Sequence, residues 1–441
     1  MNSRNKINES PYKWQMAALN SWILNGHRGI IKAVTGSGKS KVGLMAIEYL
    51  RMIDDNTYFI ITVPSKVLQL QWNDILTEKC NIPESEIQLH GGENTKKPDL
   101  SRKFHIFIIN TASKVLPGYV REWRKHGKVL LLADECHKCG SPVNAQIFDA
   151  EYNFLLGLSA TPERENDFGF ENHIEPNIGN IVYNYDFAAA LRDGVISEFK
   201  LTNIEVKLNS LERGEYDFTT KKISLLLDMI KSRYPSLRKQ HKFFAALEQI
   251  QSANLAKHNA RDEAIDQFRE LLLKRKMLVN RAANRLDCIA YLVTRLSNSA
   301  KIIIFHELID ELGYIADFLA KNEIRHVIYH SEMNKSQKNS AIEAYRNDKS
   351  TVMLACRALD EGLDIPDTHI GIIAAASKST RQRIQRIGRV LRKAPGKEYS
   401  WIFSLFAGNT AEESRYSKET EVDLFGAADI EYLNYSANFT L

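Results

Sequence analysis

The stretch Gly29 to Arg51, GIIKAVTGSGKSKVGLMAIEYLR, decides the fold. Gly29 to Ala33 is a short run rich in Ile and Ala that reads as a buried strand, and Val42 to Arg51 carries apolar residues at helical spacing. Between them lies Ala33-Val34-Thr35-Gly36-Ser37-Gly38-Lys39-Ser40. A strand that enters a helix through such a turn can aim the backbone N–H groups of Thr35, Gly36, Ser37 and Gly38 at a phosphate held on the helix N-terminus. Lys39 then reaches the β- and γ-oxygens, and the Ser40 hydroxyl can ligate Mg²⁺. The strict pattern places Gly where this chain has Ala33, but the core from Thr35 to Ser40 is intact. A chance glycine-rich turn would have no need of the order strand, loop, helix. ATP and Mg²⁺ are therefore the expected cofactors.

The same rhythm extends outward. Tyr58 to Val63, His105 to Ile109, Val129 to Ala133 and Phe154 to Leu158 are further short apolar runs separated by amphipathic stretches, as in a buried parallel sheet with crossover helices. A second series begins at Lys301 to Phe305 and continues through His326 to Tyr329, Thr351 to Ala355, Ile370 to Ala374 and Tyr399 to Phe403. Between the two, strand-like runs give way to long stretches rich in Leu, Ala, Lys and Glu, notably Ile223 to Ser232 and Asp262 to Arg285. The expected organisation is α/β, with a first parallel-sheet domain over 1–205, a helical insertion over 206–296 and a second domain over 297–441. The insertion ends in a basic cluster, Lys274, Arg275, Lys276, Arg281 and Arg285. That cluster reads either as a solvated helix face or as an arm that touches nucleic acid.

Bulk properties bound the answer. A chain of 441 residues is long enough for two domains, and 44% hydrophobic with 26% charged residues is globular rather than disordered. The net charge of +5 is small, so a polyanion would have to be held by a local stripe. Five scattered cysteines do not make a disulfide framework and suit a reducing, intracellular setting. The polar N-terminus, Met1 to Ser10, does not read as a signal peptide, and no window approaches the roughly eighteen apolar residues a membrane span needs. A membrane is not expected as a partner.

The run Val129 to Ala133 ends in Asp134-Glu135-Cys136-His137. Two carboxylates there fall at the C-terminal edge of the sheet, beside the phosphate loop. Asp134 is expected to hold Mg²⁺ through water and Glu135 to orient and deprotonate the attacking water, with His137 coupling the site onward. Cys136 and Cys139 also spell C-x-x-C, but no second pair lies at ligand spacing, which favours coincidence over zinc or redox chemistry.

Together these residues resemble the superfamily-two helicases, especially the D-E-x-H group containing the XPB, UvsW and type III restriction motors. The resemblance spans nearly the whole chain and implies two tandem RecA-like domains. Gln15, preceded by Trp14, stands where the family has an adenine-reading glutamine, while Tyr12 replaces an arginine that often flanks it. Val63-Pro64-Ser65-Lys66 with Gln71-Trp72 resembles motif Ia, and Asn110-Thr111-Ala112-Ser113 resembles motif Ib. The resemblance makes Pro64, Ser65, Lys66, Thr111 and Ser113 strand-phosphate contacts, against a plainer reading of the hydroxyls as loop caps. Ser159-Ala160-Thr161-Pro162 matches motif III, with Ser159 and Thr161 linking ATP state to strand grip, and Glu163-Arg164-Glu165 resembles an extension seen in XPB relatives.

In the second domain, Ile302 to Glu307 resembles motif IV. Ala355 to Asp364 resembles motif V, which implies a strand contact for Arg357 and nucleotide contacts for Gly362 and Asp364. Gln385-Arg386-Ile387-Gly388-Arg389-Val390-Leu391-Arg392 resembles motif VI. Gln385 and Arg386 are then coupling residues. Arg389 and Arg392, three apart on a helix, would share a face and serve as arginine fingers. The bland alternative is a solvated basic helix.

The expectation is an ATP-dependent DNA helicase or translocase, moving 3′ to 5′ and acting on single-stranded, duplex or branched DNA in recombination, repair or replication. Two others stand beside it: an RNA helicase, and a non-catalytic subunit switched by nucleotide.

Overall fold

The computed structural model describes residues 10–92, 94, 96–164, 167–240, 242–256, 261–297, 300–356, 368–375, 380–392, 397, 399–416, 418–425, 429–436 and 439–440. They form two compact units, the first running to Asp193 apart from 165–167, the second built on the chain from Gly194 onward.

The first unit runs α1 (Lys13–Leu24), β1 (Arg28–Ala33), α2 (Lys39–Ile53), β2 (Tyr58–Val63), α3 (Lys66–Asp74), β3 (Ile87–His90), β4 (Phe104–Ile108), α4 (Ile109–Trp123), β5 (Val129–Asp134), β6 (Phe154–Ser159), α5 (Glu175–Ile178), β7 (Ile181–Tyr185) and α6 (Phe187–Arg192). The strands form one parallel sheet in the order β3-β4-β2-β5-β6-β1-β7. Every residue of β2, β5 and β6 is buried, which is why these strands are continuous apolar runs rather than alternating ones. On one face Ala112, Leu116, Val120 and Trp123 of α4 pack with Leu131 and Ala133 of β5. Helix α2 approaches the sheet closely at Gly43, where a Cβ would lie 2.8 Å from Leu132 Cδ1 and 3.0 Å from the Trp72 ring. Register then positions the site. Lys32 pairs with Ser159 and Asp134 with Leu158, so the loop after β1 and the ends of β5 and β6 emerge side by side.

The second unit runs β8 (Glu198–Val206), α7 (Ser210–Arg233), α8 (Phe243–Ala256), α9 (Glu263–Asn280), α10 (Ala283–Leu296), β9 (Ile302–His306), α11 (Ile309–Lys321), β10 (His326–His330), α12 (Lys335–Arg346), β11 (Val352–Cys356), β12 (Ile370–Ile373), α13 (Thr380–Val390), β13 (Tyr399–Ala407), α14 (Lys418–Phe425) and β14 (Asp429–Asn434). Its sheet is also parallel, in the order β10-β11-β9-β12-β13-β8-β14. These are two tandem RecA-like domains.

The expected boundaries need correction at both ends of the insertion. Strand β8 is not the end of the first domain but lies inside the second sheet, paired along its length with β13, so the division falls near Gly194 rather than after 205. Helix α10 is likewise not part of the insertion. Its Cys288, Ile289, Leu292 and Val293 are buried against Ile302, Ile304 and Leu354 of the second sheet. What remains inserted is α7 to α9, which has its own core of Ile223, Ile230, Leu247, Ile265 and Phe268.

The basic cluster at the end of the insertion is also redistributed. Arg285 is buried, with its guanidinium donating to the Leu405 carbonyl at 3.0 Å and to Glu412 at 2.7 Å, so it fits neither surface reading. Lys274 pairs with Glu215 at 3.0 Å, Lys276 with the buried Glu307, and Arg281 with Glu311 at 3.2 Å. The last two tie the inserted helices to the ends of β9 and α11. Among the described residues no helix is long and apolar enough to cross a membrane.

The tail closes the second sheet. Strand β14 pairs with β8, and α14 brings Glu421 to Arg383, whose Nη2 donates to Glu421 Oε2 at 2.8 Å and to Asn203 at 3.3 Å. Both charges are buried, and the Arg383 guanidinium lies 4.4 Å from the centre of the Tyr416 ring. Breaking such a pair from one side strands a charge in the interior. Glu421→Ala is expected to destabilise the second unit by about 3–5 kcal/mol, read as a shift of its denaturant transition, and the double change Arg383→Met with Glu421→Leu to recover most of the loss.

A second expectation concerns acid. His90 Nε2 and His105 Nδ1 lie 3.0 Å apart between β3 and β4, both buried. Burial pushes His90 down to about 4, and burial together with the neighbouring His90 pushes His105 down to about 3. Both are thus neutral in the folded chain but take up a proton near 6.5 when unfolded. Their contribution to stability is complete above that pH and is lost as the pH falls toward 4, by about 1.4 kcal/mol per pH unit for each ring. Melting of the first unit followed from pH 7 to pH 4 checks this, and His105→Gln should flatten the slope.

Candidate active site

The phosphate loop has the backbone its sequence demands. Gly36 and Gly38 adopt φ of 89° and 85°, a region that favours glycine, and Gly38 caps α2 in the left-handed conformation. Ser37 Oγ donates to the Val34 carbonyl at 2.7 Å, bracing the turn from inside. Thr35 Oγ1 is buried and has no hydrogen-bond partner among the described residues, so a phosphate or its hydration shell would satisfy it. Ser40 opens α2, half-buried, next to Lys39.

Gln15 is one helix away and fully buried. Its Oε1 accepts from the Tyr12 N–H at 2.9 Å, closing the N-terminal turn of α1, and its Nε2 donates to the Gly38 carbonyl at 3.0 Å. Both ends of the amide are engaged within the protein. These two bonds brace Gln15 against the phosphate loop and leave its second N–H and one oxygen lone pair unused by them. Trp14 beside it stacks on Tyr185 with ring centres 4.4 Å apart.

Lys39 points at the acidic strand end, with its Nζ 3.2 Å from Glu135 Oε1. Glu135 itself sits at φ 51°, ψ 51°, a left-handed conformation that costs a non-glycine residue about 1–3 kcal/mol. Burial alone would raise its pKa, but Lys39 and His137 together outweigh burial and hold the carboxyl well below the usual range. Asp134 moves the other way. Burial, with the charge of Glu135 next to it, raises its carboxyl, although Lys39 and a hydrogen bond from Trp72 oppose the rise. Two adjacent carboxylates are therefore driven apart, and Glu135 is the one kept ionised, as a proton acceptor requires.

His137 Nδ1 lies 3.4 Å from Glu135 Oε2 and 3.3 Å from Ser159 Oγ. Ser159 Oγ in turn accepts from the Thr161 N–H at 3.1 Å. The chain Lys39, Glu135, His137, Ser159, Thr161 is thus continuous through adjacent contacts from the phosphate loop to the loop after β6. Arg164 adds a bond the sequence reading did not assign, from its Nη1 to the His137 carbonyl at 2.7 Å. Glu165 and Asn166, which follow it, lie outside the described residues. Cys136 and Cys139 are buried in the apolar core of the first sheet, and burial pushes the Cys139 thiol up to about 12.

Of the expected strand contacts, Pro64, Ser65 and Lys66 lie half-buried at the start of α3, where Ser65 Oγ accepts from the Leu68 N–H at 3.4 Å. Thr111 is half-buried near the start of α4. Ser113 is a correction, because it is buried inside α4 with its hydroxyl donating to the Asn110 carbonyl at 3.3 Å. Arg357, Gly362 and Asp364 lie outside the described residues.

In the second unit Gln385, Arg386 and Arg389 lie on α13 and are buried, with Arg386 Nη1 donating to the Ala375 carbonyl at 3.3 Å. Arg392 does not share their helical face. Helix α13 ends at Val390, and Arg392 bridges to Ile196 in the segment leading to β8. Lys397 Nζ donates to the carbonyls of Val390 and Arg392, capping the end. The Leu391 carbonyl between them accepts from the Ser197 N–H at 3.0 Å, so all three carbonyls at the helix end have partners outside the helix.

Known proteins agree with this architecture. Residues 8–164 match the family model described as type III restriction enzyme, res subunit, and residues 284–394 match the helicase conserved C-terminal domain. Over 386 residues the chain is 28% identical to a DNA 3′-5′ translocase XPB2 of Sulfurisphaera tokodaii, covering 86% of this chain and 78% of that protein. It is 25% identical over 407 residues to a putative helicase 22 of a Sulfolobus islandicus filamentous virus, covering 89% of this chain and 63% of that protein. Its fold is similar to that of the ATP-dependent type ISP restriction-modification enzyme LlaBIII bound to DNA, with a TM-score of 0.60 at 16% identity over 98% of this chain and 32% of that one. Two RecA-like domains carrying a phosphate loop, an Asp-Glu strand end and a motif VI helix make an ATP-dependent nucleic-acid helicase. Within that class the chain belongs to the superfamily-two helicases of the XPB and restriction-motor type.

Lys39→Ala is expected to abolish measurable ATP affinity, whereas Glu135→Gln should keep it and lower turnover at least about 100-fold, the range for loss of a positioned proton acceptor. Binding of a fluorescent ATP analogue beside steady-state turnover separates the two. Normal turnover by Glu135→Gln would remove it from that role.

Proposed function

We propose that this helicase is a DNA translocase that moves 3′ to 5′ and unwinds or remodels branched DNA, forks and junctions, in recombination, repair or replication. The observation that carries the DNA reading is the similarity over 86% of the chain to a protein named as a DNA 3′-5′ translocase. The grip fits such a motor, since hydroxyls and helix starts at Ser65 and Thr111 can hold phosphates without reading bases.

The chemistry is assigned as follows. Lys39 leaves Glu135 for the β- and γ-phosphates of ATP, and the freed Glu135 carboxylate takes the proton of the attacking water. Mg²⁺ fits the site, with Ser40 and Asp134 as its holders, and when bound it neutralises charge on the phosphates. Arg389 stabilises the transferring phosphoryl group, a role that contributes about 10³ to 10⁵ in rate. His137, Ser159 and Thr161 pass the loss of the γ-phosphate to the strand-facing loops, with Gln385 and Arg386 doing so in the second domain.

Steady-state ATPase activity with no polymer, single-stranded DNA, duplex DNA, a junction and RNA tests the substrate. The strongest stimulation is expected from the junction, and Arg389→Ala should remove at least about 1000-fold of it. Stimulation by RNA alone would move the chain to RNA remodelling. No turnover with any polymer would leave a nucleotide-switched binding subunit.

A further inference from the structure

Asp134 reaches beyond its own strand. Its Oδ2 accepts a hydrogen bond of 2.8 Å from Trp72 Nε1, and its Oδ1 accepts from the Glu135 N–H at 3.1 Å. Each carboxylate oxygen thus has one fixed donor, which sets the plane of the carboxylate and leaves a lone pair on each oxygen. The indole is 1% exposed, so water does not compete for that bond. Its far edge lies where a Cβ on Gly43 would be 3.0 Å away, so the same ring touches the helix that begins at Lys39.

Trp72 is carried by α3, and three buried or capping side chains fix that helix. Ser65 caps its N-terminus, and the fully buried Gln69 donates to the carbonyls of His90 and Ile106 at 2.9 and 2.8 Å. Trp72 is the third. Beyond Asp74 the helix loosens into a π-helical turn, Ile75–Lys79, a feature that recurs at functional sites. One rigid helix therefore begins at the residues assigned to strand phosphates and ends in an indole bonded to the metal-holding carboxylate.

We propose that Trp72 is a positioning residue, orienting Asp134 for Mg²⁺ and making α3 the link between the strand-facing loop and the metal site. The proposal rests on the ATPase reading above. Outer-layer partners of metal ligands typically change metal affinity or activity by about 10–100-fold when removed, and Trp72 stands in that relation to Asp134.

The test is equilibrium binding of a fluorescent ADP analogue to the full chain across a Mg²⁺ titration, with a parallel series in EDTA. Trp72→Phe keeps most of the packing and deletes the N–H donor. The expected result is a Mg²⁺ midpoint raised about tenfold with the affinity in EDTA unchanged. A midpoint equal to that of the parent in a folded variant would overturn the proposal and leave Trp72 a packing residue. Should Trp72→Phe not fold, a chain labelled with 5-fluorotryptophan in a Trp14→Phe background is expected to show one ¹⁹F resonance moving when Mg²⁺ joins the ADP complex. Resonances that all stay in place would overturn it. A parent with no Mg²⁺-dependent nucleotide binding would instead overturn the ATPase reading on which the proposal stands.

Discussion

The structure turns on one ion pair, Lys39 with Glu135 at 3.2 Å. Both groups are nearly buried, and a buried charge is tolerated only with a partner. On the proposed chemistry the ammonium is the group that meets the phosphates, and the carboxylate is the one that accepts a proton. Holding them against each other keeps Lys39 aimed into the loop and Glu135 ionised. In the proposed reaction ATP competes with Glu135 for the same cation, so that nucleotide binding and release of the base become one event. The strained backbone at Glu135 and its contact with His137 at 3.4 Å belong to the same arrangement.

That pair requires the sheet to be in register. Lysine and glutamate come from elements separated by about 95 residues of chain, and they meet because β1 and β5 both flank β6 in parallel. A slip in either pairing would carry the phosphate loop out of reach of the carboxylates. Gly43 shows how tight the fit is, because α2 can lie over β5 only where it lacks a side chain. The polar network from His137 to Thr161 then extends the site along the same edge, through a ring, the Ser159 hydroxyl and a backbone N–H rather than through flexible charges.

Much of this is legible in the residues. Strands such as β2, β5, β6, β9 and β11 announce themselves because every residue in them is buried, so that they read as unbroken apolar runs. The edge strands β7 and β14 do not. Strand β7 is half-buried over most of its length and β14 alternates between exposed and half-buried, so Ile181–Tyr185 and Asp429–Asn434 carry too little apolar signal to stand out from loop. The segment forming β8 was placed with the first domain, since nothing local in Glu198–Val206 says which sheet will hydrogen-bond it. Helix α10 looked like the rest of the helical stretch, and only its buried Cys288, Ile289, Leu292 and Val293 separate it. Charge was the least reliable signal. Arg285 reads as surface and is buried, because Glu412 lies more than a hundred residues away in sequence and was invisible as its partner. In the site, motif spacing gave Lys39, Asp134 and Glu135 directly. It could not give Trp72 or Arg164, whose roles depend on contacts made across the fold.

On the proposed chemistry Lys39 exchanges Glu135 for phosphate when ATP binds. A crystal structure of the chain with Mg²⁺ and a non-hydrolysable ATP analogue tests it most directly. The account predicts the Lys39 ammonium within hydrogen-bond reach of the β- and γ-oxygens, and the Glu135 carboxylate turned to a water in line with the γ-phosphorus. A nucleotide bound with the Lys39–Glu135 pair intact would contradict it.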